Sequence, residues 1–220
     1  MKPIPRVSPL LIVLSVLSLM TARAAAAEVP DRTIRGDTVV STHDPPVLIR
    51  LPASASYAGA DRWLLEEYAD DIELHAFVDA DRDKHVRRIY WVQFEAYLPS
   101  RPELKHRYGS KRHVTLGGMD FYLDTWVEAR DSPEKPDSDG AHLKALLRSH
   151  RYLLPQSVIS VRFVHLMDEA RKELMFIYSE DTAATGFSPE ELAKRGKAHG
   201  QWPGIEAALI ARAQRSIVFQ

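Results

Sequence analysis

Hydrophobic and polar positions alternate along several segments of the chain, which predicts β-strands. Residues 72–78 and 86–98 alternate on either side of the charged run 81–84, a pattern typical of a β-hairpin. Residues 158–167 and 173–179 are rich in β-branched and aromatic side chains and predict a second hairpin. Residues 113–129 resume the strand pattern, with a turn at the two glycines in its middle.

Apolar residues recur at helical spacing in other segments. Residues 141–154 place their leucines along one side of a helix, and residues 205–217 carry an apolar stripe that predicts a last helix. Ser188 supplies the cap of a further helix, which we expect to continue towards Gly200. Residues 60–70 fit a helix or a strand, and the pattern leaves both open.

Hairpins separated by helices, without strand–helix alternation, predict an α+β fold. We expect a twisted antiparallel β-sheet built from these hairpins, with the helices packed on one face. Residues 28–220 have the length of one compact domain, so we expect a single domain. Residues 28–46 contain few large apolar side chains, and we expect this segment to wrap the surface.

The first 27 residues predict a cleaved secretory signal peptide. Lys2 and Arg6 precede an uncharged apolar run at residues 9–20, and the small-residue tract 24–27 follows. This run is too short to span a bilayer, which needs about 20 residues. We therefore expect residues 28–220 to be an exported soluble protein, periplasmic or extracellular, with no stable membrane anchor after signal cleavage.

The composition and the motifs that are missing limit the partners and the activities that we expect for this protein. The chain has no cysteine, so it forms no disulfide, and its formal net charge is −1. Basic residues are not interleaved with aromatic ones, so we expect no nucleic acid partner. No phosphate loop, nucleophile elbow or zinc-protease motif is present. Asp79, Asp81 and Asp83 have calcium-loop spacing, but Lys84 replaces the required glycine, and we predict no metal and no cofactor.

One face of the predicted sheet combines aromatic rings with ionisable groups. Side chains alternate between the two faces of a strand, so Trp91, Glu95 and Tyr97 share a face, and a similar mixture recurs at residues 121–128. This face suits a concave pocket for a small molecule. Its candidate members are His75, Trp91, Glu95, Tyr97, Tyr122, Asp124 and Trp126.

Three functions fit this face. The preferred hypothesis is binding of a small, partly apolar or aromatic ligand without turnover, through the rings of Trp91, Tyr97, Tyr122 and Trp126. The second is a hydrolase or isomerase in which Glu95 exchanges protons with His75 or Asp124. The third is an interaction module that docks another protein. The rings also have an ordinary interpretation as core, and Glu95 as a hydrogen-bonded strand glutamate.

Overall fold

The strands of this protein form two antiparallel sheets. A computed structural model describes residues 30–65 and 69–220, and the predicted leader, residues 1–27, lies outside the described residues. The smaller sheet contains β1 (Thr33–Arg35), β2 (Thr38–Thr42), β3 (Pro46–Arg50) and β11 (Val218–Phe219). The larger sheet contains β4 (Ser56–Leu65), β5 (Asp70–Ala80), β6 (Val86–Tyr97), β7 (His113–Leu116), β8 (Met119–Ala129), β9 (Ser157–Met167) and β10 (Lys172–Asp181).

The larger sheet joins two runs of sequential strands. Its order is β4-β5-β6-β10-β9-β8-β7, so β4 to β6 and β7 to β10 each pair with their neighbours in the sequence. The two runs meet where β6 pairs with β10, and this register sets Glu95 opposite Glu173. The helices are α1 (Asp139–Ser149), α2 (Pro189–Leu192) and α3 (Trp202–Arg215), with 3₁₀ turns at Thr182–Thr185 and His199–Gln201.

Both faces of the larger sheet are covered. One face, called the sandwich face, carries Phe94, Phe163 and Phe176 and packs against the smaller sheet and α3. The other, called the α1 face, carries residues such as Leu74 and Trp91 and packs against α1. Burial of apolar area on both faces is the main favourable contribution to folding.

The predicted α+β fold with an antiparallel sheet built from hairpins is confirmed. The two longer helices lie on opposite faces, whereas the sequence predicted them on one face. Leu143 and Leu147 of α1 pack on the α1 face, while Leu209 and Ala213 of α3 pack on the sandwich face. The apolar stripe of a helix identifies which side is buried but not which face of the sheet receives it.

Three segments differ from the predicted secondary structure or settle an open alternative. Residues 28–46 were expected to wrap the surface; they contain β1 and β2, because Val39 and Ser41 alternate into the interior. Of the two structures open for residues 60–70, the strand is observed at residues 60–65, where β4 ends, and residues 66–68 lie outside the described residues. The helix capped by Ser188 ends at Leu192, much earlier than expected, because the chain folds back with Gly196 against the backbone of α2.

Among the described residues, no helix combines the length and apolar character that crossing a membrane requires.

Glu73 binds the backbone at Asp31 and Arg32 and so holds this segment against the sandwich face. Its oxygens accept hydrogen bonds from the backbone N–H groups of Asp31 and Arg32 at 2.9 and 2.8 Å. Arg32 Nη1 donates at 3.1 Å, and His75 Nε2 lies 2.7 Å from Oε1. Burial alone would raise the pKa of Glu73, but these hydrogen bonds and the charge of Arg32 lower it to about 2.

We therefore predict that Glu73→Gln lowers the free energy of unfolding by about 3 kcal/mol at pH 7, because it leaves Arg32 without its buried counter-charge. The folded pKa is below the ordinary glutamate value of about 4.3, so the contribution is complete above that value and is lost as the pH falls towards 2. Urea unfolding from pH 7 to pH 3 measures it. The exposed Glu169→Gln is the control, and a difference between wild type and variant that grows at low pH would contradict the assignment.

Candidate functional site

The structure brings six of the seven candidate residues to the α1 face. The registers of β6 with β10, β10 with β9 and β9 with β8 align the side chains across four strands. Gln93, Met175, Val164 and Tyr122 form one such row. The six residues on this face are Trp91, Glu95, Tyr97, Tyr122, Asp124 and Trp126.

His75 lies on the opposite, sandwich face, which corrects the prediction that it partners Glu95. The β5–β6 register sets Ala76 opposite Trp91 and His75 opposite Val92. His75 contacts Glu73 instead, and its Nδ1 lies 3.4 Å from the hydroxyl of Tyr57. Side chains alternate between the two faces along each strand, as the sequence predicts. The pairing register then decides which residues of β5 share a face with which residues of β6.

Asp124 shares the α1 face but is bound to a cation. Arg162 Nε and Nη2 donate to its two carboxylate oxygens at 3.1 and 2.6 Å. The guanidinium also lies 5.1 Å from the ring centre of Tyr108 and 5.9 Å from that of Trp126. Both carboxylate oxygens of Asp124 are therefore occupied by Arg162, and this contact suits Asp124 to orient the guanidinium.

Glu95 lies among three other carboxyl groups. Glu173 is its direct cross-strand neighbour, and Asp70 and Asp139 complete an acidic cluster. Burial is the largest cause of the raised pKa of Glu95, followed by the charges of Glu173, Asp139 and Asp70. Burial also raises the pKa of Asp70 to about 7, although a hydrogen bond with Glu95 opposes this. These groups therefore resist carrying their full negative charge together.

Neutral side chains hold this acidic cluster in place. The amide of Gln93 donates to Glu95 and, at 3.1 Å, to Asp139 Oδ2, and its Oε1 accepts from Trp91 Nε1 at 2.6 Å. The hydroxyl of Tyr108 lies 2.9 Å from both oxygens of Glu173. Burial, opposed by the Tyr108 hydrogen bond, raises the pKa of Glu173 to about 7.

Within the described part of the chain, two groups of residues have the composition of metal ligands. Asp70, Glu95 and His106 each place one ligand atom within 4.8 Å of the others. Asp81, Asp83 and His85 do the same, but they are exposed on the β5–β6 turn. In that turn Asp81 Oδ1 accepts the backbone N–H groups of Asp83 and His85 at 3.0 and 2.9 Å, which explains its conformation as an ordinary Asx-type turn.

A cleft opens between α1 and the α1 face. Its cavity volume is about 70 Å³, and about 570 Å³ when the open space at its mouth is included. Its apolar walls include Trp91, Trp126, Leu143, Leu147, Leu154 and Ile177. Ser160 and Ser179 also line it, and their hydroxyls lie 2.8 Å apart. The mainly apolar lining with a few polar groups is typical of small-molecule sites.

The four aromatic candidates divide between two places. Trp91 and Trp126 line the cleft. Tyr97 stacks on His106 with ring centres 4.4 Å apart, and Tyr122 packs against Tyr108 at 6.0 Å. Tyr97 and Tyr122 therefore contact the segment 98–112, which covers the acidic cluster.

Sequence reasoning missed the other members of the cluster. Asp70, His106, Tyr108 and Asp139 come from a strand start, an irregular segment and a helix start, and none of these contexts marks a site. Glu173 had a usable signal, since it faces the same side of its strand as Met175 and Ile177. A glutamate in that apolar row indicates a charged group inside the protein.

No family model, curated protein or solved structure matches this chain. Function is therefore inferred from the geometry of the two sites on the α1 face.

We predict that Glu95→Gln stabilises the protein in buffer containing EDTA at pH 8. The amide keeps the shape of the side chain and removes one of four neighbouring acidic groups, so the free energy of unfolding should rise by about 1 to 4 kcal/mol. Chemical denaturation measures this. Glu103→Gln, at an exposed position, should change stability by less than about 0.5 kcal/mol. A less stable Glu95→Gln protein would show that the cluster is compensated within the chain.

Proposed function

We propose that this protein binds a small, mainly apolar or aromatic molecule in the cleft between α1 and the larger sheet, without turning it over. The observation that carries the proposal is the presence of Trp91 and Trp126 together in the walls of an open, mainly apolar cleft. Indole rings offer large, rigid surfaces on which an aromatic ligand stacks.

Polar groups in the cleft favour a ligand with a hydrogen-bonding end. Ser160 and Ser179 offer hydroxyl groups beside the aromatic walls. Lys144 also lines the cleft, and its Nζ binds Glu128 and Glu134 at 2.9 and 2.8 Å. A few fixed polar groups in an apolar pocket orient a ligand and select among apolar molecules.

The two alternative functions receive less support from the contacts. The Glu95 acid–base hypothesis needs His75 or Asp124 as a partner, but His75 is on the other face and Asp124 is bound by Arg162. The interaction-module hypothesis needs an open aromatic surface, whereas Trp91 is only 8% exposed. Segment 98–112 also packs on Tyr97 and Tyr122.

A fluorescent aromatic probe tests the ligand-binding proposal. We expect 1-aminoanthracene to bind the wild-type protein at one site, with enhanced probe emission. Val158→Trp should weaken binding at least about tenfold, because Val158 lines the cleft and the larger ring fills it. Val218→Trp places the same ring at an exposed position on β11 and should bind as the wild type does.

The outcome that would overturn the proposal is a wild-type protein that does not bind the probe, or a Val158→Trp protein that binds it equally well. Circular dichroism of both variants establishes that each is folded, so that weaker binding reports the cleft itself.

We further propose that the protein acts after export, in a periplasm or outside the cell, once residues 1–27 have been removed. The charged start, the apolar run and the small residues before Glu28 support this. Intact-mass measurement of protein recovered from the extracytoplasmic fraction should give a chain that starts near Glu28. Full-length protein retained in the cytoplasm would contradict it.

A further inference from the structure

Asp70, Glu95 and His106 come from three separate parts of the chain and meet under segment 98–112. Asp70 is the first residue of β5, Glu95 lies near the end of β6, and His106 belongs to the covering segment. One ligand atom of each lies within 4.8 Å of the other two. This spacing groups the three ligand atoms around one position for an ion.

Two buried polar atoms in this group lack hydrogen-bond partners within the described residues. They are Asp70 Oδ1 and His106 Nε2. Asp70 is 5% exposed and the His106 side chain 7%. A buried acceptor without a partner costs free energy, and native structures leave few of them unless a ligand or ion satisfies them.

The position of Glu173 gives His106 the surroundings of a metal-binding histidine. His106 Nδ1 lies 3.3 Å from Glu173 Oε2, and Glu173 is also held by the hydroxyl of Tyr108. Metal-binding histidines commonly direct one ring nitrogen to a carboxylate, which fixes the ring and its tautomer for coordination through the other nitrogen.

The charge of the cluster also calls for a cation. Glu173 lies directly opposite Glu95 across the strand pair, Gln93 bonds to both Glu95 and Asp139, and Asp70 lies beside Glu95. The positive charge of Arg162 attracts Glu173 and Asp139, but its guanidinium already donates hydrogen bonds to both oxygens of Asp124. A divalent cation between the carboxylates would replace their mutual repulsion with attraction.

We propose that Asp70, Glu95 and His106 bind a divalent transition-metal ion such as Zn²⁺ or Mn²⁺, with Glu173 orienting the histidine. Two carboxylates and one imidazole form a mixed oxygen and nitrogen ligand set. Imidazole favours zinc, iron and similar ions, whereas Mg²⁺ prefers oxygen ligands and retains its water. The site is distinct from the cleft, from which it is separated by Gln93.

The test is calorimetric titration of the EDTA-treated and dialysed protein with ZnCl₂, MnCl₂ and MgCl₂. We expect one Zn²⁺ or Mn²⁺ per chain, and Mg²⁺ to bind at least about tenfold more weakly than the better of the two. Bound metal should also raise the thermal midpoint, because it binds the folded chain only. No binding of Zn²⁺ or Mn²⁺, or equal binding of Mg²⁺, would overturn the proposal.

Variants locate the ion. His106→Ala and Glu95→Gln should each weaken binding by at least about a hundredfold, because losing a partner that only orients a ligand already costs about 10- to 100-fold. Glu95→Gln is expected to fold at least as well as wild type in EDTA, so its loss of binding is not a loss of structure. His85→Ala removes the histidine of the exposed group on the β5–β6 turn and should leave binding unchanged.

If His85→Ala abolishes binding while His106→Ala does not, the ion binds the surface turn and the proposal is wrong. The aromatic-probe experiment on the cleft is independent of this result. A negative result in one of the two experiments therefore does not change what the other experiment shows.

Discussion

Pairing of β6 with β10 at the centre of a sheet covered on both faces is the constraint on which this structure depends. Strand alternation and register together oblige Glu95 and Glu173 to lie side by side on the α1 face. Because α1 and segment 98–112 cover that face, water screens the two carboxyl groups less than it would at the surface. Neighbouring side chains must therefore stabilise the two carboxyl groups. Gln93 donates a hydrogen bond to Glu95, and Tyr108 donates one to Glu173.

The first turn of α1 has two opposite effects on the acidic cluster. Ser138 caps the helix, accepting the N–H of Ala141, and Asp139 projects from the first turn towards Gln93. The N-terminus of a helix favours nearby negative charge through its dipole. Asp139, however, adds one more carboxyl group to the cluster, so the arrangement remains short of positive charge.

Gln93 divides the α1 face into two chemically different halves. On one side Trp91 begins the apolar cleft, and on the other side Glu95 begins the acidic cluster. Since the amide of Gln93 bonds to both, a change in the position of either neighbour acts on a shared hydrogen-bonding group. The two halves are thus adjacent and joined by one side chain.

The sequence could predict what depends on local periodicity. The hairpins, the turn at Gly117 and Gly118, the start of α2 and the common face of Trp91, Glu95 and Tyr97 follow from spacing and turn chemistry. His75 was misplaced because the register between two strands is not encoded in the alternation of either one. The cluster containing Asp70 and His106 was missed because it forms through contacts between distant segments.

The division of the larger sheet into two runs has a consequence for how the protein folds. Apart from the β8–β9 connection, which contains α1, each run grows by closing short connections, whereas the β6–β10 seam joins residues more distant in the sequence and carries a larger entropic cost. The seam should therefore close late on the folding pathway. Its closure brings the like-charged Glu95 and Glu173 together, so electrostatic repulsion would make the barrier at this step sensitive to whatever neutralises them.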